Sequence, residues 1–316
     1  SKWLNAAPVS AGALAYASLK QSITTLSGSD YWQNARAISI SADGSTMAVG
    51  AYSESGTYYN QGTVWIFKKD SSGNWAEEAK IYAGDPQNYA YFGYSVSLSQ
   101  DGNTLAVGET LRNENGSTVG AAYVFKRTGS SWSQSQKLTA SDQSSNPGMW
   151  FGSSVALSDD ASTVVIGAYN QNNTSGAAYV FALASGSYAQ QGKLVASDAQ
   201  NYDAFGWSAA ISANGNTVVI GAYTEDDQAY DNGAAYVFKR SGSTWSQFQK
   251  LTASSQGYAE RFGYSVSMSA SGNVIAVGAI NNSTSPNYEN GAVYIFAMGS
   301  STYSQQQKLT PSGSLY

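Results

Sequence analysis

The chain contains no cysteine and no histidine. Those two absences exclude disulfides, thiolate nucleophiles, Cys/His zinc sites and histidine general bases. Charge is scarce as well: 12% of the 316 residues are Asp, Glu, Lys or Arg, and the formal net charge is −5. With no basic stripe to neutralise phosphates, nucleic acid is not expected as a partner. No apolar run reaches the ~20 residues of a spanning helix, so no membrane span is expected. No signal-peptide pattern occurs, and the opening Ser1 is what a processed product would show.

What is present is polar and aromatic. Ser, Gly, Asn, Gln, Thr and Tyr supply a surface that charge does not, a composition common on secreted and cell-surface β proteins. The 42% hydrophobic content is enough to bury a sizeable core.

One eighteen-residue phrase recurs. FGYSVSLSQDGNTLAVGE begins at Phe92, FGSSVALSDDASTVVIGA at Phe151, FGWSAAISANGNTVVIGA at Phe205 and FGYSVSMSASGNVIAVGA at Phe262. A worn copy, NARAISISADGSTMAVGA, begins at Asn34. Successive starts lie 58, 59, 54 and 57 residues apart. Each unit holds four short apolar or alternating stretches separated by turn residues, the pattern of a four-stranded antiparallel sheet. In the second copy SVSLS alternates, Asp101-Gly102 marks a hairpin, TLAVG is apolar on both faces, AAYVF follows a variable loop, and SQSQKLT is polar. Its Lys137, with Lys193, Lys250 and Lys308 in the later copies, suits a protected outer edge. The gradient from apolar inner strands to a polar fourth strand predicts an all-β protein, a β-propeller of about five blades, rather than a solenoid.

The frame FGxSVxLSxDGxTLAVGA, then GAAYVF, then WxQxQKLTASD, resembles FG-GAP repeat proteins, such as the N-terminal propellers of integrin α-chains, over about residues 31–316. The resemblance implies a propeller and favours ligand binding over catalysis. Family members often hold calcium in a DxDxDG-type loop. Here that loop keeps one carboxylate at most, read as Asp43, Asp101 and Asp159, with Asn214 and Ser271 elsewhere. A hard cation wants 6–8 oxygens, so the family's calcium sites are not carried over and no cofactor is expected. Residues 1–30 form an N-terminal extension. TLSGSD (25–30) reads as an extra fourth strand, while Tyr16, Leu19, Ile23 and Leu26 recur at helical spacing.

In a blade, the 2–3 loops and 4–1 links share one face, and they are the long, variable segments here. Candidate ligand-binding rings on that face are Tyr52, Tyr58, Tyr59, Tyr89, Tyr91, Trp150, Tyr169, Tyr202, Tyr223, Tyr230, Tyr258 and Tyr288. They could form a stacking platform; the alternative for each is packing against its own loops. Glu225, Asp226, Asp227 and Asp231 form the densest acidic cluster, a weak calcium candidate and otherwise a solvated loop. Asp85, Asp142 and Asp198 read as turn caps. Sequons stand at Asn115, Asn172, Asn173, Asn281 and Asn282, all in 2–3 loops. No carboxylate pair stands out for a hydrolase. The reading is therefore an extracellular or cell-surface, noncatalytic adhesion module that binds a protein or glycan through the loop face. The alternative is a structural subunit of an extracellular assembly, joined through its N-terminal segment to copies of itself or other subunits.

Overall fold

The computed structural model describes residues 36–226, 231–254, 259–281 and 291–310. They form five four-stranded antiparallel sheets in sequence order. Blade one comprises Ala37–Ile40, Thr46–Ala51, Thr63–Lys69 and Trp75–Ile81. Blade two comprises Phe92–Leu98, Thr104–Glu109, Ala121–Thr128 and Ser131–Leu138. Blade three comprises Val155–Leu157, Thr163–Ala168, Ala177–Ala184 and Ser187–Leu194. Blade four comprises Ser208–Ile211, Thr217–Ala222, Ala234–Ser241 and Thr244–Leu251. Blade five comprises Phe262–Met268, Val274–Ala279, Ala292–Met298 and Tyr303–Leu309. The five-blade expectation holds. The extension 1–30 lies outside the described residues.

The second strands of blades one to three are buried on both faces, as their unbroken apolar runs require, while that of blade five is buried only at alternate residues. Each of the three inner blades buries one side against its predecessor and the other against its successor. The core is thus four successive seams, such as Val64, Ile66 and Ile81 of blade one against Phe92, Val96 and Leu98 of blade two. Phe92, Phe151, Phe205 and Phe262 are fully buried, each edge-on or tilted to a buried tyrosine 5.3–5.6 Å away: Tyr123, Tyr179, Tyr236 and Tyr294. Burying one such ring stabilises by about 2–3 kcal/mol.

The FG glycine is needed because its backbone is pressed against the preceding blade. A Cβ on Gly152 would sit 2.4 Å from Ala121 O and 2.9 Å from Glu109 N; the facing glycines of the preceding blade are as tightly placed, a Cβ on Gly108 lying 2.0 Å from Gly152 O and one on Gly120 2.1 Å from Phe151 O. The serine two residues beyond the FG dipeptide then ties each blade to the next: Ser95 Oγ donates to Gly152 O at 2.9 Å, Ser154 Oγ to Gly206 O at 2.9 Å, and Ser208 Oγ to Gly263 O at 2.8 Å.

At the opposite face the 1–2 turns join hands. Ala42 N–H donates to Gln100 O, Gln100 N–H to Asp159 O, Asp159 N–H to Ala213 O and Ala213 N–H to Ala270 O, at 2.9–3.1 Å. Asp159 serves this belt through its backbone, which corrects its assignment as the turn carboxylate. That role belongs to Asp160, whose carboxylate accepts from Ser158 Oγ and from the Ser162 N–H, as Asp101 accepts from Ser99 and Asn103. Hydrogen bonds from the Ser41 and Ser45 side chains hold Asp43 well below the usual carboxylate range.

The polar fourth strands do more than face water. Gln134, Gln190, Gln247 and Gln305 each accept, at 2.8–3.1 Å, from a backbone N–H of the preceding 4–1 link: Gly84, Ser141, Ser197 and Ser254. The repeated Gln of WxQxQKL is therefore a clasp between blades.

Candidate functional site

The loop face carries an aromatic cup over the axis. Tyr52, Tyr169 and Tyr223 follow directly on the second strands, where each chain leaves its sheet. Tyr91 and Trp150 precede the FG dipeptide and take positive φ, 61° and 54°, as Ala204 and Arg261 do at 57° and 55°. Because that conformation recurs in four repeats, it belongs to the FG turn and is not a local strain. The residue after FG points inward: Tyr94, Trp207 and Tyr264. These rings touch in sequence. Tyr91 meets Tyr52 at 5.3 Å, Tyr52 meets Tyr94 at 5.3 Å, Trp150 meets Tyr169 at 5.3 Å, and Tyr169 meets Trp207 at 4.8 Å. Trp207 also meets Tyr223 at 4.7 Å and Tyr264 at 5.4 Å.

Arg36 enters this cup from the start of blade one. Its guanidinium lies 3.9 Å from the centre of the Tyr94 ring and 5.7 Å from that of Trp207, and its charge pulls down on the phenol pKa values of Tyr52 and Tyr94. Among the described residues no carboxylate pairs with it. Burial raises the phenol pKa values of Tyr52, Tyr94, Tyr169 and Tyr223 against Arg36 or, for Tyr223, Arg261. The phenols therefore stay protonated, and among the described residues the cup holds hydrogen-bond donors, ring faces and the Arg36 guanidinium, with Arg261 acting on Tyr223.

Of the rings expected to bind, Tyr52, Tyr91, Trp150, Tyr169 and Tyr223 converge here. Tyr58, Tyr59, Tyr89 and Tyr202 stand exposed on the rim, with Tyr59 and Tyr89 paired at 5.2 Å. Tyr230, Tyr258 and Tyr288 lie outside the described residues. Sequence reasoning missed Tyr94, Trp207, Tyr264 and Arg36. The first three had a signal, an aromatic directly after FG in three of four repeats; Arg36 had none. The sequons Asn115, Asn172 and Asn173 occupy exposed loop tips with positive φ, Asn281 is half-buried, and Asn282 lies outside the described residues. Glu225 is buried and bonded to Lys250 Nζ at 2.8 Å, Asp226 is exposed, burial raises the Asp231 pKa, and Asp227 is not described. Among the described residues no group of three acidic side chains is placed to hold a metal.

A second polar cluster lies between blades one and two. Arg112 reaches Asp85 at 2.7 Å, Glu114 at 2.6 Å and Glu109 at 3.3 Å, while Tyr123 Oη donates to Glu109 at 2.8 Å or Asp85 at 2.9 Å. The same position in the next seam holds Asp142, which accepts from Tyr179 Oη at 2.7 Å and Lys193 Nζ at 2.8 Å. Asp198 accepts from Lys250 Nζ at 2.7 Å. Asp85, Asp142 and Asp198 are thus not turn caps: they reach across a seam to satisfy the next blade's buried tyrosine or lysine. This cluster is a clasp, because Glu109 is fully buried and no substrate reaches it.

Burial pushes Glu109 up to about 7, against the pull of Tyr123 and Arg112. Between its ordinary value of 4.5 and about 7, the folded protein keeps a proton that the unfolded chain has released. Stability contributed by this group is therefore whole below the lower value and lost as pH rises through the upper one. Urea midpoints taken at about pH 5 and about pH 8 should show that fall, and Glu109→Gln should flatten it. An unchanged slope would show that Glu109 titrates normally.

With this geometry in place, the comparisons assign a family. The FG-GAP repeat model matches residues 75–125, 132–181, 188–238 and 245–296, well over half of the chain. The chain belongs to the FG-GAP repeat family. No curated protein sequence matches it. Among solved structures it is similar to the periplasmic gluconolactonase PpgL of Pseudomonas aeruginosa, with TM-score 0.58 and 17% identity over 88% of this chain and 73% of that one. It is also similar to a putative TolB from Agrobacterium tumefaciens, with TM-score 0.50 and 13% identity over 87% of this chain and 80% of that one. The propeller of Dos1 aligns with TM-score 0.52 and 16% identity over 88% and 62%. At these identities the likeness shows the fold alone; one of the three is an enzyme by name.

These neighbours correct the expectation of an extracellular adhesion module, and that of a structural subunit. The architecture is shared with a periplasmic enzyme and a putative TolB, and nothing in it speaks for adhesion. The physical reason lies in the rings: five of the expected aromatics turn into the axial cup instead of presenting a contact surface on the rim. Among the described residues no helix is long and apolar enough to cross a membrane.

Proposed function

We propose that this propeller is a noncatalytic binding protein for a small, polyhydroxylated carboxylate, held in the axial cup. The observation that carries this reading is Arg36, a guanidinium set among aromatic faces with no carboxylate partner among the described residues. A planar guanidinium presents paired donors that match a carboxylate. Trp207 and Tyr94 offer faces for the C–H side of a sugar-like body, and the protonated phenols offer hydrogen bonds to its hydroxyls. Among the described residues the cup presents no base or nucleophile, and retention rather than turnover is the chemistry that this favours. A secreted or periplasmic location fits, as for the gluconolactonase of like fold; cell fractionation tests it, and a cytoplasmic protein would refute it.

The binding test is a tryptophan-fluorescence titration with D-gluconate and D-glucuronate against neutral glucose. The acids should bind and glucose should not, and Arg36→Gln should weaken binding about tenfold or more. Equal responses to acid and neutral sugar, or an Arg36→Gln variant that binds as the parent does, would sink the reading.

A further inference from the structure

The first strand of blade one repeats the inserting half of every internal seam, yet among the described residues nothing receives it. In each seam, the third and fourth strands of one blade receive the first strand of the next. Val64, Ile66 and Ile81 receive Val96 and Leu98, and Ala122, Val124 and Leu138 receive Val155 and Leu157. Ala178, Val180 and Leu194 receive Ala209 and Ile211, and Ala235, Val237 and Leu251 receive Val266 and Met268. The counterparts of Val96 and Leu98 in blade one are Ile38 and Ile40. They are 57% and 53% exposed, where Val96 and Leu98 are 9% and 8% exposed.

The receiving half has a signature in the sequence. A glycine opens it, apolar residues stand two and four places on, an Ile or Leu closes the fourth strand, and an Asp follows four places later. Gly62, Val64, Ile66, Ile81 and Asp85 make one set, and Gly120, Ala122, Val124, Leu138 and Asp142 the next. A further set stands ahead of blade one: Gly12, Leu14, Tyr16, Leu26 and Asp30. Its spacings are shorter. Gly12 precedes Leu26 by fourteen residues, against eighteen from Gly120 to Leu138, as a hairpin with shorter strands gives. Leu26 precedes Asn34 by eight, against eleven from Ile81 to Phe92.

Lys80 supplies a second observation. Lys250 of blade four bridges Glu225 of its own blade, at 2.8 Å, and Asp198 of the preceding link, at 2.7 Å. Lys80 stands at the same place in blade one, opposite Trp65 as Lys250 is opposite Tyr236. It holds Glu54 as Lys250 holds Glu225. By position, the residue that answers to Asp198 is Asp30.

We infer that residues 11–30, which lie outside the described residues, are the receiving half of a seam and cover Ile38 and Ile40. Leu14, Tyr16 and Leu26 take the parts of Val64, Ile66 and Ile81, and Asp30 reaches Lys80. Two strands suffice for this, because the third and fourth strands supply those receiving residues in every internal seam. A receiving half fits an inserting half. The segment therefore seats on blade one and not on Val293 and Leu309 of blade five, which are themselves a receiving half.

The chain has no cysteine, so one introduced thiol reports its own accessibility. In the full chain, Ile38→Cys should react with a thiol reagent about a hundredfold more slowly than Ser71→Cys, because a covered thiol waits for local opening. Ser71 stands in an exposed hairpin. Adding Leu14→Asp should bring the two rates within about threefold, and the milder Leu14→Ala should close part of the gap. Leu19→Asp lies off the signature and should leave the thiol protected. Far-UV circular dichroism checks that the blades stand in each variant. Four results overturn the inference. The first is an Ile38→Cys that reacts as fast as Ser71→Cys. The second is protection lost with Leu19→Asp but kept with both Leu14 variants, the outcome of a helix that packs Tyr16, Leu19, Ile23 and Leu26. The third is protection that fades on dilution, which makes a second copy the occupant. The fourth is a Leu14→Asp that exposes Val293→Cys while Ile38→Cys stays as it was, which places the segment on blade five.

Discussion

Gly120→Ala should cost about 3–5 kcal/mol and bring the protein near the limit of folding. Two effects combine in that number. Gly120 stands at φ +80°, where a side chain is strained by about 1–2 kcal/mol. The added Cβ would also lie 2.1 Å from Phe151 O and 2.7 Å from Phe151 N, both backbone atoms of the next blade that no rotamer can move. Overpacking of that kind adds about 1–3 kcal/mol or more. Gly129→Ala separates the two effects, because φ there is +64° and nothing lies within 4 Å of the new methyl. That variant should lose about 1 kcal/mol. Urea denaturation of both decides the matter: equal losses would mean that the seam at Phe151 yields, and that Gly120 is kept for its dihedral angle alone.

Arg112→Met should cost a similar amount, about 3–5 kcal/mol at pH above 7, because it strands Glu109 in the seam. The carboxylate is fully buried, one of its oxygens has no hydrogen-bond partner, and Arg112 is its one cation. Removing Arg112 takes away a pull that lowers the Glu109 pKa, so the carboxyl is pushed higher still and escapes the penalty by taking a proton. The loss should therefore be smaller in mild acid than in mild base, and Arg112→Met combined with Glu109→Gln should recover much of it. Urea midpoints of the single and double variants across pH test this as a double-mutant cycle. Additive losses would show that Arg112 serves Asp85 and Glu114 instead.

The blades were legible because a seam makes the same demands each time it recurs. Phe, Gly and Ser of the FG turn, the apolar second strand and the glutamines of the fourth strand are needed at every seam, so they repeat in the sequence. The cup was half legible for the opposite reason. Its rings sit where the chain leaves one strand or enters another, positions that a repeat frame locates, but which rings turn inward depends on a backbone turn at Tyr91 or Trp150. Arg36 belongs to the worn copy, where the frame is weakest, and nothing in the pattern marks it. Asp85, Asp142 and Asp198 misled for a related reason: they stand in turn-like surroundings, and their partners Tyr123, Tyr179, Lys193 and Lys250 are 37 to 52 residues further on.

The clasps between blades have a thermodynamic direction. The Ser–Gly, Gln–backbone and Asp–Tyr links each join one blade to its immediate successor, so the molecule behaves as a row of coupled units rather than one block. Among the described residues both end blades leave apolar side chains exposed: Ile38 and Ile40 in blade one, Val293 and Leu309 in blade five. Under load or in denaturant the row should fray from its ends, each blade exposing the next, and the seams around blade three should be the last to part.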